Sequence, residues 1–141
     1  MRRVALGSGI DAAKLASTIR QIAISDPPLP VLICQAASNP DAWIHLSLSL
    51  ELQDDLPTPD SYWMLMLGYP LREDVRTAIA RHNIALPAHS HVIGSEPGLN
   101  ATIQFPYTTP PDEIAQIINA LMVNLQRVEQ TAAVELALEY P

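Results

Sequence analysis

The 141-residue chain carries 15 Asp and Glu against eight Lys and Arg, a formal net charge of −7, and is 48 % hydrophobic. That balance leaves too little basic surface to neutralise phosphates, which excludes nucleic acid and disfavours an anionic membrane surface; it favours solubility or a basic polypeptide partner. The length suits one domain with a sizeable core, and with aromatics at only 5 % the packing falls to Leu, Ile, Ala and Val.

Cys34 is the single cysteine, so no intramolecular disulfide can form and nothing points to an oxidising compartment. The apolar run Val4-Ala5-Leu6 is broken at once by Gly7-Ser8-Gly9, too short for a signal-peptide core, and no run reaches the roughly 18 apolar residues of a spanning helix. The expectation is a soluble, cytoplasmic protein with residues 1–9 as a loose, flexible arm and residues 10–141 as a single domain.

Along the chain, Ala12, Leu15, Ala16, Ile19, Ile22 and Ala23 recur at helical spacing, which predicts a helix from Ile10 to Ser25 capped by Ser8 or Asp11 and stopped at Asp26-Pro27-Pro28. Leu29 to Ala37 reads as a short, well-covered strand. Ser38-Asn39-Pro40-Asp41 is turn chemistry. Ile44 to Gln53 then alternates without a break. Ile44, Leu46, Leu48, Leu50 and Leu52 take one face of a strand, and His45, Ser47, Ser49, Glu51 and Gln53 take the other. Such a polar second face belongs to an antiparallel sheet covered on one side only.

Asp54 to Asp60 reads as an exposed loop and Ser61 to Leu67 as a third strand ended by Gly68. A second helix is expected from Leu71 to His82, with Pro70 near its first turn and Asn83 as a left-handed cap. His89–Gly94 and Asn100–Phe105 are two further strands joined through Gly94–Gly98. Thr109 is placed to cap a last helix whose stripe is Ile114, Ile117, Ile118, Leu121, Met122, Leu125 and Val128, continuing through Ala132 and Leu136 to a fraying end. The order α-β-β-β-α-β-β-α predicts an α+β fold: an antiparallel five-stranded sheet with three helices.

No catalytic or cofactor motif stands out, and neither cofactor nor bound metal is expected. His89 and His91, two apart on an expected strand, share a face with His82 nearby, which makes a metal site or small enzyme the alternative reading. Cys34 with a histidine could form a nucleophile pair, but its neighbours Leu32, Ile33 and Ala36 suit a small buried hydrophobe. Asp54, Asp55 and Asp60 lack the spacing of a calcium loop. The glycines of Gly94–Gly98 precede no helix that could hold a phosphate. Trp43, Tyr62 and Trp63 suit either core or interface anchors.

The stretch Leu65-Met66-Leu67-Gly68-Tyr69-Pro70-Leu71 leads into a short helix ending Ala80-Arg81-His82-Asn83. A glycine turn, the strand Ala101-Thr102-Ile103-Gln104-Phe105-Pro106 and a helix opening Pro111-Asp112-Glu113-Ile114 follow. With the element order, length and acidity, this resembles the class I type III secretion chaperones (the CesT-like group) and the YbjN-like proteins, over about residues 10 to 130. The resemblance implies a non-catalytic, homodimeric protein that binds an extended segment of another protein. It places partner contact at Leu15, Ile19, Ile22, Val31 and Ile33, and dimerisation at Trp63, Leu65, Val75 and Ile79. A structural subunit of a larger assembly is the third reading.

Overall fold

The structure, a computed structural model, describes residues 2–8, 11–69, 72–96, 98–129 and 132–141. The helix starts expected at Ile10 and Leu71, and Pro70 beside the latter, lie outside the described residues.

The chain opens with β1 (Arg2–Ser8) and α1 (Ala12–Ile24). Asp11 caps α1, its carboxylate accepting from the N–H groups of Ala13 (2.9 Å) and Lys14 (3.2 Å). β2 (Val31–Ala36) and β3 (Trp43–Ser49) form a hairpin, followed by β4 (Leu52–Gln53), β5 (Leu56–Pro57) and β6 (Tyr62–Gly68). α2 (Val75–Arg81), β7 (His91–Glu96), β8 (Asn100–Pro106) and α3 (Pro111–Ala120) come next. α3 passes into a π-helical turn at Leu121–Leu125, and β9 (Val134–Tyr140) ends the chain.

Among the described residues the fold is α+β with three helices, but the element order departs from α-β-β-β-α-β-β-α, with strands added before the first helix, between the second and third expected strands and after the last helix. The sheet differs. Among the described residues it has seven strands rather than five, in the order β1-β9-β2-β3-β6-β8-β7, and every pairing is antiparallel. Two of the additions are at the chain ends. Arg2–Ser8, expected as a loose arm, forms an edge strand against β9. Val134–Tyr140, expected as the end of a helix, is a strand held on both sides, by β1 and by β2.

The last helix stops because the backbone changes hand: Arg127 has φ 56°, a left-handed conformation that no α-helix continues through. Pro110 rather than Thr109 holds the N-cap position of α3, without a side-chain hydrogen bond. The end of the expected second strand and the start of the expected loop form a separate two-stranded hairpin, β4-β5, turning on Asp54 (φ 52°) and Asp55 (φ 63°). The long alternating run divides there, so that its main-sheet portion ends at Ser49.

Register explains why the core lies on one side. One row across the sheet reads Val4, Leu138, Leu32, Leu46, Leu65, Ile103 and Val92, aliphatic from edge to edge. This face shares a single core with Leu15, Ile19 and Ile22 of α1, Val75, Ala78 and Ile79 of α2, and Ile114, Ile117 and Ile118 of α3. All three helices therefore serve the same face.

Candidate functional site

Advancing each strand by one residue turns every side chain to the opposite face. The neighbouring row reads Ala5, Ala137, Ile33, His45, Met66, Thr102 and Gly94. Ile33 and Ala137 are only 7 % and 8 % exposed, yet neither belongs to the core under the helices. Trp43, Tyr62, Met64 and Met66 on the same side are half-buried and also lie outside that core. Among the described residues, the second face of the sheet thus has no helix over it.

Its composition is unusual for this chain. Four adjacent inner strands, β2, β3, β6 and β8, contain no Asp, Glu, Lys or Arg. The open side of these strands presents Val31, Ile33, Trp43, Tyr62, Met64 and Met66 among Ser47, Ser49, Thr102 and Gln104. Charge returns at the flanks, with Glu96 on β7 at one side and Glu135 and Glu139 on β9 and Arg3 on β1 at the other, where Arg3 and Glu139 pair at 2.7 Å. Aromatic and Met side chains in a charge-depleted centre with a charged rim are the composition of a protein–protein interface.

Trp43 is held in place on this face. Gly68 leaves room for its indole: a Cβ there would come within 2.4 Å of the Asp41 carbonyl and 2.5 Å of Trp43 Nε1. From the C-terminal side of the π-helical turn, the Gln126 amide donates to the backbone carbonyls of Trp43 (2.9 Å) and Gly68 (2.7 Å), tying both strands together. The Trp43 and His45 rings lie 4.8 Å apart.

Contact with the sheet removes water from one side of His45 and lowers its pKa from the ordinary 6.5. Arg3 pushes the same way, while Glu139 opposes both. The folded protein therefore takes up this proton less readily than the unfolded chain. Its stabilising contribution is complete above pH 6.5 and declines as pH falls through the lower folded value. Between pH 7 and pH 5, wild type is expected to lose more stability in urea titrations than His45→Gln; parallel losses would contradict this. (These pH values bracket the ordinary histidine range of about 6.5.)

Three of the five residues expected to touch a partner lie off this face. Leu15, Ile19 and Ile22 are core residues under α1, so they are not free to meet a partner in this state. Val31 and Ile33 do lie on the open face. Trp63, Leu65, Val75 and Ile79, expected at a dimer interface, are all buried in the chain's own core. Helical and strand periodicity marks a buried face without saying what buries it, and here the same chain does.

The histidine alternative loses its geometric basis. His89 has φ 62° and sits in a turn, while the strand begins at His91, so the two do not alternate along one strand. Among the described residues no three His, Cys, Asp or Glu side chains converge as a metal-ligand set. Cys34 lies on the helix side of β2, opposite Ile44, whereas His45 points to the other face. Burial pushes the thiol up to about 12, far from a thiolate at neutral pH. Cys34 is expected to resist iodoacetamide in the native protein near pH 8 and to react fully once unfolded, as mass spectrometry would show; rapid native alkylation would contradict its placement.

No helix among the described residues is long and apolar enough to cross a membrane. Comparison with protein-family models, curated proteins and solved structures finds no match to this chain.

Proposed function

We propose that this chain is a non-catalytic protein-binding module whose recognition surface is the helix-free face of its sheet. The observation that carries the reading is the absence of charge from four adjacent strands on a face that also bears Trp43, Tyr62, Met64 and Met66. In a chain of net charge −7, this is the surface whose desolvation requires no ion to be stripped of water.

The resemblance to secretion chaperones implies an extended partner segment, and one way to hold such a segment is as a strand added at a sheet edge. Both edges argue against that mode. β1 carries an irregularity between Ala5 and Gly7, and β7 carries one between Val92 and Gly94. Such bulges twist an edge and interrupt the hydrogen-bond row that an added strand needs. The broad face is therefore the better docking surface, and a folded partner the better occupant.

A photo-crosslinking amino acid placed at Met64, on the open face, tests this in the native host. The expected result is a discrete adduct from position 64 and none from Arg20, which is exposed on α1. No adduct from position 64, or the same adducts from both positions, would count against the proposal.

A further inference from the structure

The open face has a shape and symmetry of its own. β3 is the middle strand of seven, and His45 is the middle of its row. From the edges inward the row goes Ala5 and Ala137, then Ile33, on one side; on the other it goes Gly94 and Thr102, then Met66. Small residues lie outside and bulky ones inside, mirrored about His45. A two-fold axis running along β3 would set Ile33 against Met66 of a second copy, Ala137 against its Thr102 and Ala5 against its Gly94. Each contact then occurs twice with the roles exchanged, which is the defining property of an isologous interface.

Area and charge agree with that occupant. Seven strands about 4.8 Å apart, with some six residues each rising about 3.3 Å, give a face of roughly 34 by 20 Å, or about 700 Å². A standard stable interface takes ~800 Å² from each partner. Two acidic chains of net charge −7 repel through most approaches. Face to face they bring together four adjacent strands that carry no Asp, Glu, Lys or Arg, and the two-fold sets Glu135 and Glu139 of β9 over the uncharged β8 of the second copy rather than over one another. Twisted sheets also pack against each other well at about 10 Å separation, with the helices left outside.

We infer that the open face binds a second copy of this chain, forming a symmetric dimer in which two sheets stack back to back across β3. The inference rests on the binding-module reading and names its partner. Ile33 and Ala137 are already shaded by neighbours, so the surface newly covered belongs chiefly to Trp43, His45, Tyr62, Met64 and Met66.

Sedimentation equilibrium of the purified chain tests it, alongside Met64→Arg, Ser47→Arg and the helix-side control Gln21→Arg, each checked for native circular dichroism. Positions 64 and 47 project from the open face, so both arginines can remain solvated in a folded monomer. Wild type and Gln21→Arg are expected at twice the 15.4 kDa chain mass, and the two face variants at half of that dimer mass. A monomeric wild type overturns the inference, as does a dimer that survives both face arginines. A monomeric wild type that still yields a discrete adduct with a different chain from position 64 removes the second copy and leaves the binding module standing. A monomer with no adduct removes both.

Discussion

Trp63→Ala is expected to lower the unfolding free energy by about 3–5 kcal/mol, the usual cost of truncating a buried aromatic. Trp63 is 1 % exposed and faces the helices. It pairs across the sheet with Leu48 and Phe105, and its indole N–H donates to the Tyr107 carbonyl at 3.3 Å. No nearby side chain can fill that space without leaving its own place in the core. Because small domains have only about 5–15 kcal/mol in hand, the variant would be marginal at best. Urea denaturation followed by circular dichroism gives the measurement. Met64→Ala, one residue along and on the open face, should shift the midpoint far less. A loss below about 1 kcal/mol for Trp63→Ala would mean that the side chain is not a core residue, since core truncations of this size cost several times more.

Removing residues 134–141 is expected to abolish cooperative folding. β9 lies between β1 and β2, so the deletion leaves β1 with no partner and opens a new edge at β2. It also strips Val134, Leu136 and Leu138 from the core. A fraying helix end would have been dispensable, which makes the truncation a sharp test of the topology. Chromatography and a thermal melt suffice. A truncated chain that melts cooperatively at the wild-type temperature would contradict the placement of this strand.

That strand also shows how legible the fold was. Val134, Leu136, Leu138 and Tyr140 alternate with Glu135, Ala137 and Glu139, a period of two like that of β3. Ala, Leu and Glu favour helix, and they follow directly on a helical stripe, so intrinsic propensity pointed the wrong way. The sheet overrides it, since residues held between two strands satisfy their backbone hydrogen bonds there at the cost of only a small propensity term. β1 cannot be recognised alone, because its partner lies at the far end of the sequence and itself reads locally as helix; Arg3 opposite Glu139 is a pairing no local pattern announces.

The open face was legible only in part. The polar side of the alternating run, His45, Ser47 and Ser49, was visible as a face that the core does not use. What sequence could not supply was the extent of that face. It depends on which residues of β2, β6, β8 and β9 share it, and register settles that only once strands are paired. Ile33 and Val31 were singled out, and they do lie there. Trp43, Tyr62, Met64 and Met66 give the face its character. The signal available was a stretch from Leu29 to Gly68 whose strands contain no Asp, Glu, Lys or Arg. The expected interface residues Leu15, Ile19, Ile22, Trp63, Leu65, Val75 and Ile79 turned out to bury one another.

The open face carries its own reporters. Met64 and Met66 stand on it, while Met122 is buried at 1 % exposure in the helix-side core. The most direct test of the central claim is the rate at which hydrogen peroxide oxidises each methionine, followed by peptide mass spectrometry in dilute and concentrated solutions of the purified chain. Met64 and Met66 are expected to be oxidised quickly when dilute and to become protected together on concentration, while Met122 stays slow throughout. Met64 and Met66 that oxidise at one unchanging rate, while sedimentation shows the chain to be associated, would place the interface elsewhere and contradict the account.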